Sequence, residues 1–256
     1  MKSLKESIFS DVEDIVNSDS ALIEQFINDN YEIDGTYIIE GSYTIKDGVV
    51  DVKGTIRLTN RNAEFLTNGA FQFGTVSGGV SYFKCRKLKS LLGSPKKVEK
   101  GFYCYSCTSL VSLEGAPREV GADFSCIDCE SLVSLAGAPE KVGRDFDCGV
   151  CPKLTSLEGA PKKVGGGFYC YSCPNLATLK GAPMKVGGNF DCHDCESLTS
   201  LKGVPKEVGT DFWCAGCPKL TSLEGAPKKV GGDFYCRNCV NLRLTDEDRQ
   251  KYKIRN

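Results

Sequence analysis

The sequence predicts a mainly β solenoid of 22-residue coils, with a small α+β cap at its N-terminal end and a helical cap at its C-terminal end. Three observations carry this. CxxC pairs begin at Cys104, Cys126, Cys148, Cys170, Cys192, Cys214 and Cys236, each 22 residues after the last. Around these pairs one unit returns, F-x-C-x-x-C-x-x-L-x-S-L-x-G-A-P-x-x-V-G, with small departures such as Thr178 for Ser and Val204 for Ala, and the last pair keeps only its first half. A fixed period of this size marks stacked repeats, because one unit cannot bury its own apolar side. The composition, 41% hydrophobic and 25% charged over 256 residues, is enough to build a core of that kind.

Residues 1–57 read as the N-terminal cap. Leu4, Ile8, Val12, Ile15 and Val16 fall at helical spacing. Ser18-Asp19-Ser20 breaks the pattern, and Leu22, Ile23, Phe26 and Ile27 resume it. The stretch YTIKDGVVDVKGTIRL then reads as a hairpin turning at Lys46-Asp47-Gly48. Val50, Val52, Ile56 and Leu58 alternate with polar residues along its second strand. Residues 1–34 hold nine acids against two lysines, so a separate acidic docking module is the other reading of this region.

Residues 58–240 read as nine coils, starting near Leu58, Val80, Phe102, Phe124, Phe146, Phe168, Phe190, Phe212 and Phe234. The first is degenerate and rests on Leu58, Ala63, Leu66 and Val76. Within one coil, Phe102 and Cys104 lie two apart on a strand and share a face. Leu110, Leu113 and Val120 complete the lining. Gly115-Ala116-Pro117 and Val120-Gly121 are expected to turn the chain. Coils stacked at ~4.8 Å make a rod on the order of 40 Å long. Residues 241–256 read as the C-terminal cap: Thr245 N-caps a short helix with Asp248 three residues on, and Leu244 and Ile254 are expected to cover the last coil.

The segment CTSLVSLEGAPREVGADFSC, Cys107–Cys126, resembles leucine-rich repeats, and most of all the Treponema-type, surface-antigen-like kind. The SLEGAP wording and the lead-in FGTVSGG, Phe73–Gly79, are also similar to short repeat proteins of tailed phages and gut bacteria. The likeness covers residues ~58–240. It implies a right-handed leucine-rich-repeat-like solenoid, and it implies binding partners of many kinds. The phage-like wording implies action on a host factor. The Treponema-type likeness implies an exported adhesin-like surface protein.

Two bulk features narrow the function. Net charge is −1, so no whole-molecule field draws the chain to nucleic acid or to an anionic membrane. The N-terminus shows no apolar h-region and no stretch approaches the ~20 residues of a membrane helix, so a cytoplasmic protein without a membrane partner is expected.

The 15 cysteines invite metal, redox and packing readings. The first cysteine of each pair keeps phase with Phe and reads as a small apolar filler. The second stands where leucine-rich repeats place the Asn/Cys residue that binds backbone at the turn. Seven pairs do not divide evenly into four-cysteine zinc sites. No metal site, cofactor or catalytic set is therefore expected, and a metal-loaded scaffold is kept as an alternative. The single His193, between Asp191 and Asp194, reads as a surface side chain.

If Phe and the first cysteine point inward, their neighbours point outward. The first outward column includes Tyr103, Asp147, Tyr169, Asp191, Trp213 and Tyr235. The second includes Tyr105, Tyr171, His193 and Arg237. These ten residues form the predicted partner-binding site. The lining repeats while this surface varies, and Tyr and Trp are enriched where proteins bind proteins. The residues after each Pro form a second, lysine-rich edge from Lys96/Lys97 to Lys228/Lys229. That edge reads as a solvated rim, with tracking of nucleic-acid phosphates as the alternative. The leading expectation is a non-enzymatic intracellular scaffold that binds a protein on the Tyr/Trp face.

Overall fold

The computed structural model describes residues 23–24, 32–33, 36–37, 39–58 and 72–255. Apart from Ile23 and Glu24, which are helical, the expected N-terminal helix lies outside these residues. So do Ala63 and Leu66 of the first coil.

The described chain is mainly β, a parallel solenoid of about nine coils with a period near 22 residues. From Lys97 to Val230 each coil carries two strands of two residues. In one coil these are Phe146–Asp147 and Lys163–Val164. Phe146 pairs in register with Phe124 and Phe168. Val164 pairs with Val142 and Val186. Two ladders therefore run the length of the rod, one named here for Phe and one for Val. The Val strand is a correction, since Val120-Gly121 was expected to be a turn. Val120 belongs to a strand, Glu119–Val120, and only the glycine bends the chain.

The backbone explains why that glycine recurs. In the Val ladder, N–H groups point to the preceding coil, as Gly143 N to Val120 O at 2.9 Å. In the Phe ladder they point to the following coil, as Phe124 N to Asp145 O at 2.8 Å. Both ladders are thus satisfied between coils. A Cβ at Gly143 would strike the carbonyl of Gly121, and the same holds at Gly165, Gly187, Gly209 and Gly231. The rest of the coil is two tight turns. Leu154 N donates to Cys151 O at 3.1 Å, and Ala160 N to Leu157 O at 3.0 Å. Gly159 closes the second turn at φ 92, a conformation that side-chain-bearing residues avoid.

The core follows from the period. Phe, both cysteines, both leucines and Val of nearly every coil are buried. The Phe rings stack face to face, with centroids 4.9 to 5.5 Å apart from Phe102 to Phe234. Each buried Phe contributes about 2–3 kcal/mol through area removed from water.

The N-terminal end is closed by a hairpin. Ile39–Lys46 pairs antiparallel with Val49–Leu58 through a turn at Asp47 and Gly48, both at positive φ. Val49–Leu58 is long enough to serve both ladders. Val52 pairs with Val76, and Ile56 with Val80. Leu58 stands opposite Tyr82, the place of the first cysteine, and not in the Phe place assigned to it. The offset is two residues, so Leu58 still faces inward.

At the C-terminal end Thr245 and Asp248 form the expected capping box over the helix Asp246–Lys251. No residue of that helix is buried. Sealing falls to Tyr252, whose ring lies 4.6 Å from Phe234 and whose hydroxyl donates to Pro227 O at 2.7 Å. Ile254–Arg255 then extends the Phe ladder by pairing with Phe234–Tyr235. Leu244 and Ile254 are half-buried and pack against the core, as expected.

Candidate functional site

The Phe ladder presents the predicted face. Tyr103, Asp147, Tyr169, Asp191, Trp213 and Tyr235 all lie on its strands, pointing away from the Phe stack. Tyr105, Tyr171, His193 and Arg237 lie one step beyond, in the turn between the cysteines, and not in a strand slot as expected for His193. In all seven of these turns the next residue takes positive φ: Ser106, Asp128, Val150, Ser172, Asp194, Gly216 and Asn238. That left-handed step re-aims the chain so that the second cysteine returns to the core.

The face is half-buried, because its rings fold onto neighbours. The Tyr103 and Tyr169 rings lie over Gly101 and Gly167. Tyr103 stacks on Tyr105 with centroids 5.4 Å apart, and its hydroxyl reaches Asp123 Oδ2 at 3.4 Å. The Tyr171 ring covers Gly149 on one side and stacks on His193 on the other, at 5.0 Å and 4°. Trp213 and Tyr235 form the tightest pair, at 3.6 Å and 11°. Arg237 alone of the ten is exposed.

Polar contacts fix the rest. Asp191 Oδ1 accepts the His193 backbone N–H at 3.0 Å and meets His193 Nδ1 at 2.7 Å. Asp147 Oδ1 accepts Gly149 N–H at 2.9 Å. Burial pushes the Asp147 carboxyl up to about 6, against the Gly149 hydrogen bond and with help from Asp191 and Asp145. Burial likewise pushes the Tyr171 phenol up to about 12.

Reasoning from the sequence missed two rows beside this face. Asp123, Asp145, Asn189 and Asp211 each accept a backbone N–H from the following coil, as Asp145 Oδ1 does from Gly167 at 2.7 Å. The signal was the acid that precedes Phe in most units. The positive-φ row supplies Asp194 and Gly216. With Asp191, His193, Trp213 and Arg237 they line an open depression of about 350 Å³.

The cysteines lie behind this face, in the core. The second of each pair donates its thiol to the carbonyl at the first-cysteine place of the preceding coil, which is Tyr82 for Cys107 and a cysteine for the rest. Cys129 reaches Cys104 O at 3.3 Å, Cys195 reaches Cys170 O at 3.3 Å, and Cys239 reaches Cys214 O at 3.0 Å. The first cysteine shares a carbonyl that already has a backbone donor, as Cys192 Sγ and Cys192 N both do with Trp213 O. Burial holds Cys126, Cys148, Cys170 and Cys192 well above the usual thiol range, and neighbouring thiols add to this. They are S–H donors and not thiolates. Among the described residues no group of three or more His, Cys, Asp or Glu side chains is arranged to hold a metal ion.

No helix of the described residues is long and apolar enough to cross a membrane. Comparison of the chain with protein-family models, with curated proteins and with solved structures returns no match.

Proposed function

We propose that this protein is a non-enzymatic scaffold, acting inside the cell, that seats a protein partner on the Tyr/Trp face of its Phe ladder. The observation that carries this is the pairing of rings across coils. Tyr171 with His193, and Trp213 with Tyr235, make two planar platforms on either side of an open depression. Rings held by stacking and by glycine contacts lose little freedom when a partner covers them, which favours binding. A host factor is the partner that the phage-like wording implies.

The test is a pull-down from the source organism's lysate under reducing conditions. Wild type is compared with the Tyr169→Ala/Tyr171→Ala/Trp213→Ala variant, both confirmed folded by circular dichroism. A protein held by wild type and released by the variant supports the reading. Equal capture by both moves the working surface to the lysine-rich edge or the acidic N-terminal region.

A further inference from the structure

We propose that the occupant of this face is a basic, arginine-bearing extended segment of the partner. The proposal rests on the binding-face reading above and adds its chemistry.

Charge is the first observation. The face and its rim carry carboxylates at Asp123, Asp145, Asp147, Asp191, Asp211 and Asp233. The cations Arg144, Lys253 and Arg255 are already paired with Asp123 and Asp233, at 3.6, 2.8 and 3.0 Å. The lysines after each Pro lie on the Val ladder, away from the Phe strands. The aromatic face therefore presents net negative charge although the whole chain is near neutral.

Shape is the second. In the turn column, small residues leave notches. The notch over Gly149 is filled by a planar group of the chain itself, the Tyr171 ring. Beside Ala215 and Gly216 the surface dips into the depression described above, with His193 and Asp194 on one wall and Arg237 on the other, and the Asp194 carboxylate lies over Gly216. The backbones of these walls are two coils apart, roughly 9.6 Å, and the Asp194 carboxylate occupies part of that gap. The depression thus sets an exposed carboxylate, Asp194, beside the Trp213 ring, and a planar guanidinium entering there would stack on the ring and pair with that carboxylate. The chain already places a cation on a ring of this column: Lys84 Nζ sits 4.9 Å from the Phe83 ring centre. Arg237 is the one cation at the notch, and it opposes a basic ligand.

Trp213 is the chain's only tryptophan, so its fluorescence reports this face directly. The full chain is titrated, under reducing conditions, with short peptides alternating Arg/Ser, Lys/Ser or Glu/Ser, and with a single-stranded oligonucleotide. Saturable change with the Arg peptide is expected, severalfold weaker with Lys, absent with Glu and with the oligonucleotide, and weakened by salt. Asp194→Lys should weaken the Arg peptide at least 5-fold, roughly the effect of reversing one charge at a contact. Folding should tolerate it, because Lys84 holds the equivalent turn position at φ 54. Arg237→Ala should tighten binding. No saturable response to the Arg peptide, an equal response to Glu or oligonucleotide, indifference to Asp194→Lys, or weakening by Arg237→Ala would each overturn the proposal.

The two readings fail differently. If the Arg peptide does not bind but the triple variant loses its lysate partner, the face binds proteins and the basic chemistry is wrong. If a labelled Arg peptide binds wild type and triple variant equally by anisotropy, the basic-occupant proposal is wrong, and equal lysate capture by both proteins would sink the face reading as well.

Discussion

Cys192 and Cys195 stand in one CxxC, both fully buried, and should not be equivalent. Replacing either with Ala removes one sulfur and leaves a small void, which costs about 1 kcal/mol. Cys195→Ala does more. Its thiol is the donor to Cys170 O at 3.3 Å, and without it that buried carbonyl is left unsatisfied. An orphaned buried carbonyl costs about 1–3 kcal/mol. Cys192 leaves no orphan, because Trp213 O keeps the Cys192 backbone N–H at 2.8 Å. The expectation is therefore about 1 kcal/mol for Cys192→Ala and about 2–4 kcal/mol for Cys195→Ala. Cys195→Ser, which retains a donor, should fall between them. The assay is urea unfolding followed by circular dichroism with reductant present, comparing midpoints at unchanged slope. For a chain of this size the melting temperature should move by about 2–4 °C per kcal/mol. Equal losses for the two Ala variants would refute the idea that the second cysteine serves as a backbone-binding ladder.

Three further outcomes are expected. Val150 is β-branched and exposed yet sits at φ 56, so Val150→Asn should stabilise by about 1 kcal/mol, read from the same unfolding curves. Asp147 has its carboxyl pKa raised from 3.8 to about 6, so the native state holds that proton more tightly than the unfolded chain. Stability should fall as pH rises from about 4 through 6 and stay lower above; Asp147→Asn, which keeps an acceptor for Gly149, should remove this slope and gain on the order of 1–3 kcal/mol at pH 7, seen by repeating the unfolding curves from pH 4 to 8. Thiol labelling of the native chain should begin at Cys239 and Cys236, which are 8% and 4% exposed in the last coil, and reach the other buried cysteines only on unfolding; mass-mapped early modification of Cys148 or Cys170 would contradict the packing described here.

Much of this was legible beforehand. The phase of Phe102 and Cys104 identified the lining, and the position of Cys107 identified a residue that binds backbone. Thr245 and Asp248 identified the last helix. The face was legible as a set of residues but not as a surface. Tyr103 and Tyr169 were expected to stand exposed, whereas their rings lie on Gly101 and Gly167. His193 read as a lone surface side chain, whereas Asp191 clasps it and Tyr171 covers it. Tyr252 was overlooked, because its partners Phe234 and Pro227 lie 18 and 25 residues before it and belong to no common motif.

The 22-residue period by itself determined the stack, the register and the core. Identical side chains one period apart can pair only with each other, so repetition alone carries that information. Tertiary structure decided what repetition does not encode. It made Lys163–Val164 a strand, because a neighbouring coil on each side completes its hydrogen bonds. It set Leu58 two residues out of frame, because the step from Ile56 to its partner Val80 takes 24 residues and the next, from Val80 to Phe102, takes 22. It turned the outward rings onto glycines and onto one another, because a rotamer at the surface is chosen by whatever the next coil places beside it.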